Sequence, residues 1–214
     1  KRNERVNIYI DGSFAFGLSQ ELCFKYDLSV DKEVSKDFID KVLKSEEEKR
    51  VINSALNLLS YRQNSIQELY TKLKRKGYEE EYIIKAIEFC KERDYLNDKS
   101  YAENYIKDKT YLNKYGEIRI RYDLIKKGIS KDIIDEVLDL DFDDEYSRAL
   151  ELAEKKVKSY GKDDKNAIYR KLAGFLQRKG YSYDVVSKVL REVLDGIEYW
   201  ADDTRNRNYM LDLE

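Results

Sequence analysis

The 214-residue chain has no histidine and no proline, only two cysteines, one methionine and nine glycines. Without histidine it lacks the commonest general base, the usual partner of a serine or cysteine nucleophile, and the commonest zinc ligand, which sets most hydrolytic mechanisms aside. Cys23 and Cys90 are too few and too far apart to form a zinc set by themselves, and both are read as buried apolar residues. The one Gly-Lys pair, Gly161-Lys162, is followed by Asp163 rather than the Ser or Thr of a phosphate-cradling loop. No run approaches the ~20 apolar residues of a membrane helix. Lys1 to Arg5 is not followed by an apolar signal core, so a cytoplasmic protein without membrane partner, metal or cofactor is expected.

What is present is charge: 39% of the residues are Asp, Glu, Lys or Arg, against about 25% in ordinary globular chains. Runs of Lys, Glu, Leu and Ile uninterrupted by proline predict that helices dominate. The net charge of −2 conceals segregation. Residues 61–78 carry +4, residues 105–131 carry +5 and residues 155–179 carry +7, so three basic clusters recur along an otherwise acidic chain.

Organisation follows from self-similarity. Leu73-Lys74-Arg75-Lys76-Gly77-Tyr78, Leu124-Ile125-Lys126-Lys127-Gly128-Ile129 and Leu176-Gln177-Arg178-Lys179-Gly180-Tyr181 share one register, with their glycines 51 and 52 residues apart. Eight and four residues before each glycine stand Leu69 and Leu73, Ile120 and Leu124, and Leu172 and Leu176, which is one face of a helix that ends at the glycine. Apolar pairs five and nine residues after it (Tyr82 and Ala86, Ile133 and Val137, Val185 and Val189, each with its successor) predict a second helix, capped by Ser130 and Ser182 in the latter two copies. A third helix precedes each copy, at about 46–59, 98–112 and 144–160. Ser65 and Glu68 form a capping box at the start of the first basic helix.

Ahead of the repeats, Val6 to Ile10 and Phe14 to Leu18 flank Asp11-Gly12-Ser13 and read as a β-hairpin. Leu22 to Tyr26 reads as a strand or a helical turn, and Phe38 to Leu43 has helical spacing. The fold expected is mainly α: three tandem three-helix repeats forming an elongated, curved body on the order of 75 Å long, preceded by a small N-terminal β-hairpin and helix unit. The expected divisions are residues 1–45, 46–94, 95–142 and 143–195, with a C-terminal tail over 196–214 in which Trp200 and Tyr209 are candidates to anchor a terminal helix.

A helix, a glycine turn and a second helix also describe a DNA-reading helix-turn-helix. The second helices argue against that use, because Glu79, Glu80 and Glu81 open one and Asp132, Asp135 and Glu136 lie on another, where phosphate would repel them. The cations sit on the helix before each glycine, which suits backbone or partner contact. They also complement the helix dipole, the plainer explanation of any one cluster. Tyr82 and Tyr105 read as core or semi-buried; Tyr78, Tyr115 and Tyr181, beside turn glycines, are candidates for exposed stacking contact. Asp139 to Glu145 reads as a solvated linker and helix start.

These residues together resemble the RecX family of bacterial RecA modulators. The resemblance rests on Leu59-Ser60-Tyr61-Arg62 with Ser65 and Glu68-Leu69, Lys76-Gly77-Tyr78, Tyr95-Leu96-Asn97-Asp98 with Tyr101-Ala102, Gly116 to Ile120, Lys127-Gly128-Ile129, and Arg178 to Val185. The sequence departs from the family pattern at Gln63 and Asn64, where Pro and Arg are frequent, at Ser100, where Arg is frequent, and at Asp123, where Glu is frequent. The resemblance implies a non-enzymatic regulator, acting as a monomer, that binds RecA–DNA filaments and inhibits filament extension, ATPase and strand exchange. The contacts expected are Arg62, Lys72, Lys74, Arg75 and Lys76; Arg119, Arg121, Lys126 and Lys127; and Arg170, Lys171, Arg178 and Lys179. The competing expectation is an independent single- or double-stranded DNA-binding protein that blocks RecA by occupying DNA.

Overall fold

The computed structural model describes residues 5–161 and 163–208, with side chains followed as far as residue 195. It divides into two compact units, Lys1–Asn97 and Asp98–Glu214.

The first unit opens with an antiparallel hairpin, β1 (Arg5–Ile10) and β2 (Ser13–Ser19). Asp11 (φ 49°) and Gly12 (φ 79°) turn it through the left-handed region that a two-residue hairpin loop requires. A bulge shifts the register between Ile8, paired with Phe16, and Tyr9, paired with Phe14. The ambiguous segment after β2 is helical, α1 (Gln20–Lys25). Where two helices were expected over 38–59 there is one, α2 (Lys36–Tyr61). Its charged middle, Lys44 to Arg50, looks like a break in the apolar pattern, but no glycine or proline interrupts it. Instead the helix changes partners: Val42 packs with Leu18 and Leu22 under the hairpin, and Val51 and Ala55 pack into the core of the first repeat. Glu46 ties the two ends together, accepting from the Ser19 amide at 3.0 Å and pairing with Arg5 at 3.1 Å.

α2 is the first helix of a three-helix group completed by α3 (Ile66–Arg75) and α4 (Glu80–Glu92). Leu69, Leu73, Ile83, Ala86 and Cys90 close its core. Cys90 is buried as expected, whereas Cys23 is only half-buried, because α1 is a single short helix at the edge of the hairpin core. Burial raises the pKa of both thiols, which disfavours the thiolate form.

The second unit holds two more groups: α5 (Asp98–Tyr111), α6 (Glu117–Lys126) and α7 (Lys131–Val137), then α8 (Phe142–Val157), a 3₁₀ turn at Lys158–Tyr160, α9 (Lys165–Lys179) and α10 (Tyr183–Asn208). Ser130 and Ser182 cap α7 and α10 as expected, accepting from the amides of Ile133 at 3.4 Å and Val185 at 3.3 Å. The expected anchoring by Trp200 and Tyr209 involves side chains outside the described residues. Among the described residues no helix is long and apolar enough to cross a membrane.

In every group the middle helix ends on a left-handed glycine, Gly77 (φ 84°), Gly128 (φ 80°) or Gly180 (φ 92°). In the latter two turns the amide after the glycine reaches back to a helix carbonyl, Ile129 to Leu124 at 3.2 Å and Tyr181 to Leu176 at 3.3 Å. Leu73, Leu124 and Leu176, four residues before each glycine, have no exposed surface. Substituting any one by Ala is expected to cost about 2–5 kcal/mol through cavity formation, read as a lowered midpoint in denaturant unfolding.

Candidate binding surface

Each middle helix buries its leucine face and turns its cations outward, but those cations differ in what they touch. In the first repeat, Arg62 at the end of α2 pairs with Glu68 of α3 at 3.5 Å, and Lys72 of α3 donates to the side-chain oxygen of Asn64. Asn64 is itself buried, donating to the Arg62 carbonyl at 2.8 Å. Lys74 lies 3.7 Å from Glu80. On α6, Arg119 pairs with Asp123 at 3.2 Å and Arg121 is clasped by Asp135 and Glu117, and these carboxylates raise both guanidinium pKa values. Lys127 lies over the rings of Tyr101 and Tyr105. On α9, Lys171 pairs with Asp163 at 2.7 Å, and Lys179 donates to the Asn113 carbonyl at 2.9 Å while lying over the Tyr115 ring.

Five expected site residues have no ion pair among the described residues: Arg75, Lys76, Lys126, Arg170 and Arg178, all exposed. Three of these, Arg75, Lys126 and Arg178, occupy the same place, two residues before the turn glycine. Lys126 lies over the Tyr122 ring, 4.4 Å from its centre. An exposed cation without an ion pair among the described residues is therefore a shared property of all three repeats rather than of one.

Within the second unit the spacing of these cations is set by a junction of backbone. The Gly116 amide donates to the Lys179 carbonyl at 3.0 Å and the Ile118 amide to the Gly180 carbonyl at 3.1 Å, so the amino end of α6 meets the carboxyl end of α9. Each helix end satisfies the other's orphan groups, with dipoles head to tail. The equivalent cations Arg178 and Lys126 are then separated by roughly the length of the ten-residue α6, about 15 Å. The approach is possible only without side chains, since a Cβ on Gly116 would stand 2.4 Å from the Gly180 oxygen and one on Gly180 2.2 Å from the Arg119 Cβ.

Three side chains seal the junction. Glu145, buried on α8, accepts from the Glu117 amide at 2.7 Å, and burial raises its pKa. Glu145 thus departs from the expected solvated linker, because α8 turns it into the junction. Tyr181, a candidate for exposed stacking, is only 2% exposed; its hydroxyl donates to the Lys114 carbonyl at 2.9 Å, and burial pushes its pKa up to about 12. Lys114 pairs with Glu151, which it and Lys155 hold down to about 2. Tyr78 and Tyr115 are half-buried, Tyr82 is buried, and Tyr105 is half-buried, with burial and the Asp123 carboxylate pushing it up to about 12. Sequence reasoning missed Lys114, Glu145 and the junction itself; the signal was Gly116, a glycine standing at a helix start rather than a helix end.

No group of three or more metal-ligating side chains occurs among the described residues. Family models match almost end to end: the N-terminal domain of regulatory protein RecX over residues 1–35, and its first, second and third three-helix domains over 52–90, 97–138 and 143–190. Regulatory protein RecX of Clostridium perfringens strain 13 is 41% identical over 197 residues, spanning 90% of this chain and 92% of its own. That of Clostridioides difficile strain 630 is 35% identical over 201 residues, spanning 93% and 94%. The crystal structure of a regulatory protein RecX superposes with a TM-score of 0.75 at 24% identity, covering 86% of this chain and 94% of that one, a likeness of fold. RecX from Lactobacillus salivarius superposes at 0.64 with 32% identity, covering 71% and 98%.

The junction yields two expectations for thermal and denaturant unfolding. Gly77→Ala meets open space and suffers only the left-handed backbone, about 1 kcal/mol; Gly116→Ala and Gly180→Ala collide with backbone and should each lose more than about 2 kcal/mol. Because the folded state holds the Glu145 proton more tightly than the unfolded chain, its contribution favours folding at low pH and is lost as pH rises through the raised folded value. Glu145→Gln, still an acceptor, should remove that loss, and Glu145→Ala should orphan the Glu117 amide at about 1–3 kcal/mol throughout the pH range.

Proposed function

The chain belongs to the RecX family of regulatory proteins, and from that membership we propose that it binds RecA–DNA filaments and restrains filament extension, ATPase and strand exchange. The family's role is regulatory, not enzymatic. The proposal rests on one observation: Arg75, Lys126 and Arg178 recur two residues before the turn glycine, exposed and without an acidic partner among the described residues. Lys76 and Arg170 extend the same unpaired set.

A single exposed ion pair contributes only about 0.2–1 kcal/mol, too little to hold a partner. Several such contacts borne on one chain behave differently, because after the first engages, the others bind at high effective concentration. A polymer that presents the same acidic groups or phosphates at intervals is the target that rewards repetition, whereas a free subunit offers only one set. Those cations already occupied within the fold, Arg121, Lys171 and Lys179 among them, supply the rigidity rather than the grip.

A second reading, direct DNA binding that excludes RecA, is favoured by the exposed rings of Tyr122, Tyr169 and Tyr183 near these helices, which offer faces for base stacking. The two differ in salt dependence: single-strand binding loses affinity with a logarithmic slope of about 0.7 per phosphate contacted. Inhibition that tracks occupancy of bare DNA across a salt titration supports this second reading.

The combined variant Arg75→Glu, Lys126→Glu and Arg178→Glu tests the proposal in a RecA strand-exchange assay. Half-maximal inhibition should require at least about tenfold more protein, with helicity by circular dichroism unchanged; wild-type potency in the variant would exclude these residues as the grip.

A further inference from the structure

α6 differs from its two counterparts on the face that points away from the core. Ile118, Tyr122 and Ile125 are 58%, 52% and 57% exposed, and their i, i+4, i+7 spacing sets them in one stripe opposite the buried Ile120 and Leu124. At the same three places before the glycine, α3 carries Gln67, Thr71 and Lys74, and α9 carries Arg170, Gly174 and Gln177. Only the middle repeat is apolar on both sides.

The charges around the stripe are already matched. Arg121 is held by Asp135 and Glu117, and Arg119 by Asp123, whereas Lys126, beside the Tyr122 ring at the stripe's edge, has no ion pair among the described residues. Isoleucines gain nothing from phosphate, so although the Tyr122 ring offers a face to a base, the stripe as a whole matches a protein surface better than nucleic acid. Three half-exposed side chains offer on the order of 300 Å², against the roughly 800 Å² per partner that a stable dimer buries. That is too little to hold a second copy of this chain, but it is the size of an anchor within a larger contact, where aromatic and aliphatic side chains carry most of the energy.

We infer that Ile118, Tyr122 and Ile125 form a protein-docking stripe that seats in an apolar groove edged by a carboxylate, which meets Lys126. The inference rests on the filament reading above, and the occupant it names is a protein protomer of that filament, not its DNA. The stripe thereby divides the labour among the repeats: all three offer a cation two residues before the glycine, and the middle one alone adds a water-excluding contact. Repeats one and three supply charge contacts tolerant of small misfit; repeat two supplies the register.

The test borrows side chains that the same fold already accepts at these places: the triple variant Ile118→Gln, Tyr122→Thr and Ile125→Gln. Wild type and variant are sedimented with RecA filaments assembled on single-stranded DNA with a non-hydrolysable ATP analogue, titrated separately onto the same DNA without RecA, and run on a sizing column. The expected result is at least a tenfold loss of filament retention by the variant, unchanged affinity for bare DNA, and the same elution volume for both proteins. Retention equal to wild type would overturn the docking stripe alone, and absence of retention for the wild type would overturn the filament reading and the occupant with it. Equal losses on filament and bare DNA would reassign the stripe to nucleic acid. A larger wild-type species converted to a smaller one by the substitutions would reassign it to self-association.

Discussion

A left-handed backbone at three glycines governs this molecule. At φ of 80° to 92° the chain leaves each middle helix through a turn that few residues other than glycine adopt without strain. The turn fixes what each neighbouring residue faces: the leucine four places earlier enters the core, the residue two places earlier points to water, and in the latter two turns the residue after the glycine folds back beneath the helix end. Because the exit is the same three times, an exposed cation written two residues before the glycine is exposed three times. The repeated exposure of these cations thus follows from the repetition of backbone.

In the second unit the same turn has a further use. The carbonyls of Lys179 and Gly180 accept from amides at the start of α6, where Gly116 lets backbone meet backbone. Hydrogen bonds between main-chain groups do not depend on flexible side chains, so two repeats become one body at little conformational cost. Lys179 and Tyr181 are drawn into this joint and Glu145 is buried against it, while Arg178, one residue earlier, remains outside. Adjacent residues in one basic run therefore perform opposite tasks, and charge counting alone does not separate them.

Much of this was legible from residue types. Leucines eight and four places before a glycine, repeated in register, announce the helices and their ends, and Asp11-Gly12 announces the hairpin, because these are local choices made by a few neighbouring residues. The continuity of α2 was not legible: its apolar face changes partner halfway, and polar Lys44 and Ser45 separate the helical spacing of Phe38 to Leu43 from the helix expected from about residue 46. The joint was less legible still, since it pairs groups more than sixty residues apart through main-chain atoms that every residue possesses. The burial of Tyr181 was foreshadowed by Ile129, its counterpart after the second glycine, whose apolar side chain marks that place as interior. The apolar stripe on α6 emerges only when the three repeats are laid in register and the middle one is seen to differ.

Amide hydrogen exchange of the protein, alone and with RecA filaments on single-stranded DNA, tests the central claim most directly. If the cations before the three glycines share one grip, exchange slows together at residues 70–78, 121–129 and 173–181 when filament is added, and the acidic openings of α4 and α7 are unaffected. Slowing confined to a single repeat, or found in the second helices while the three glycine turns exchange as before, would contradict it.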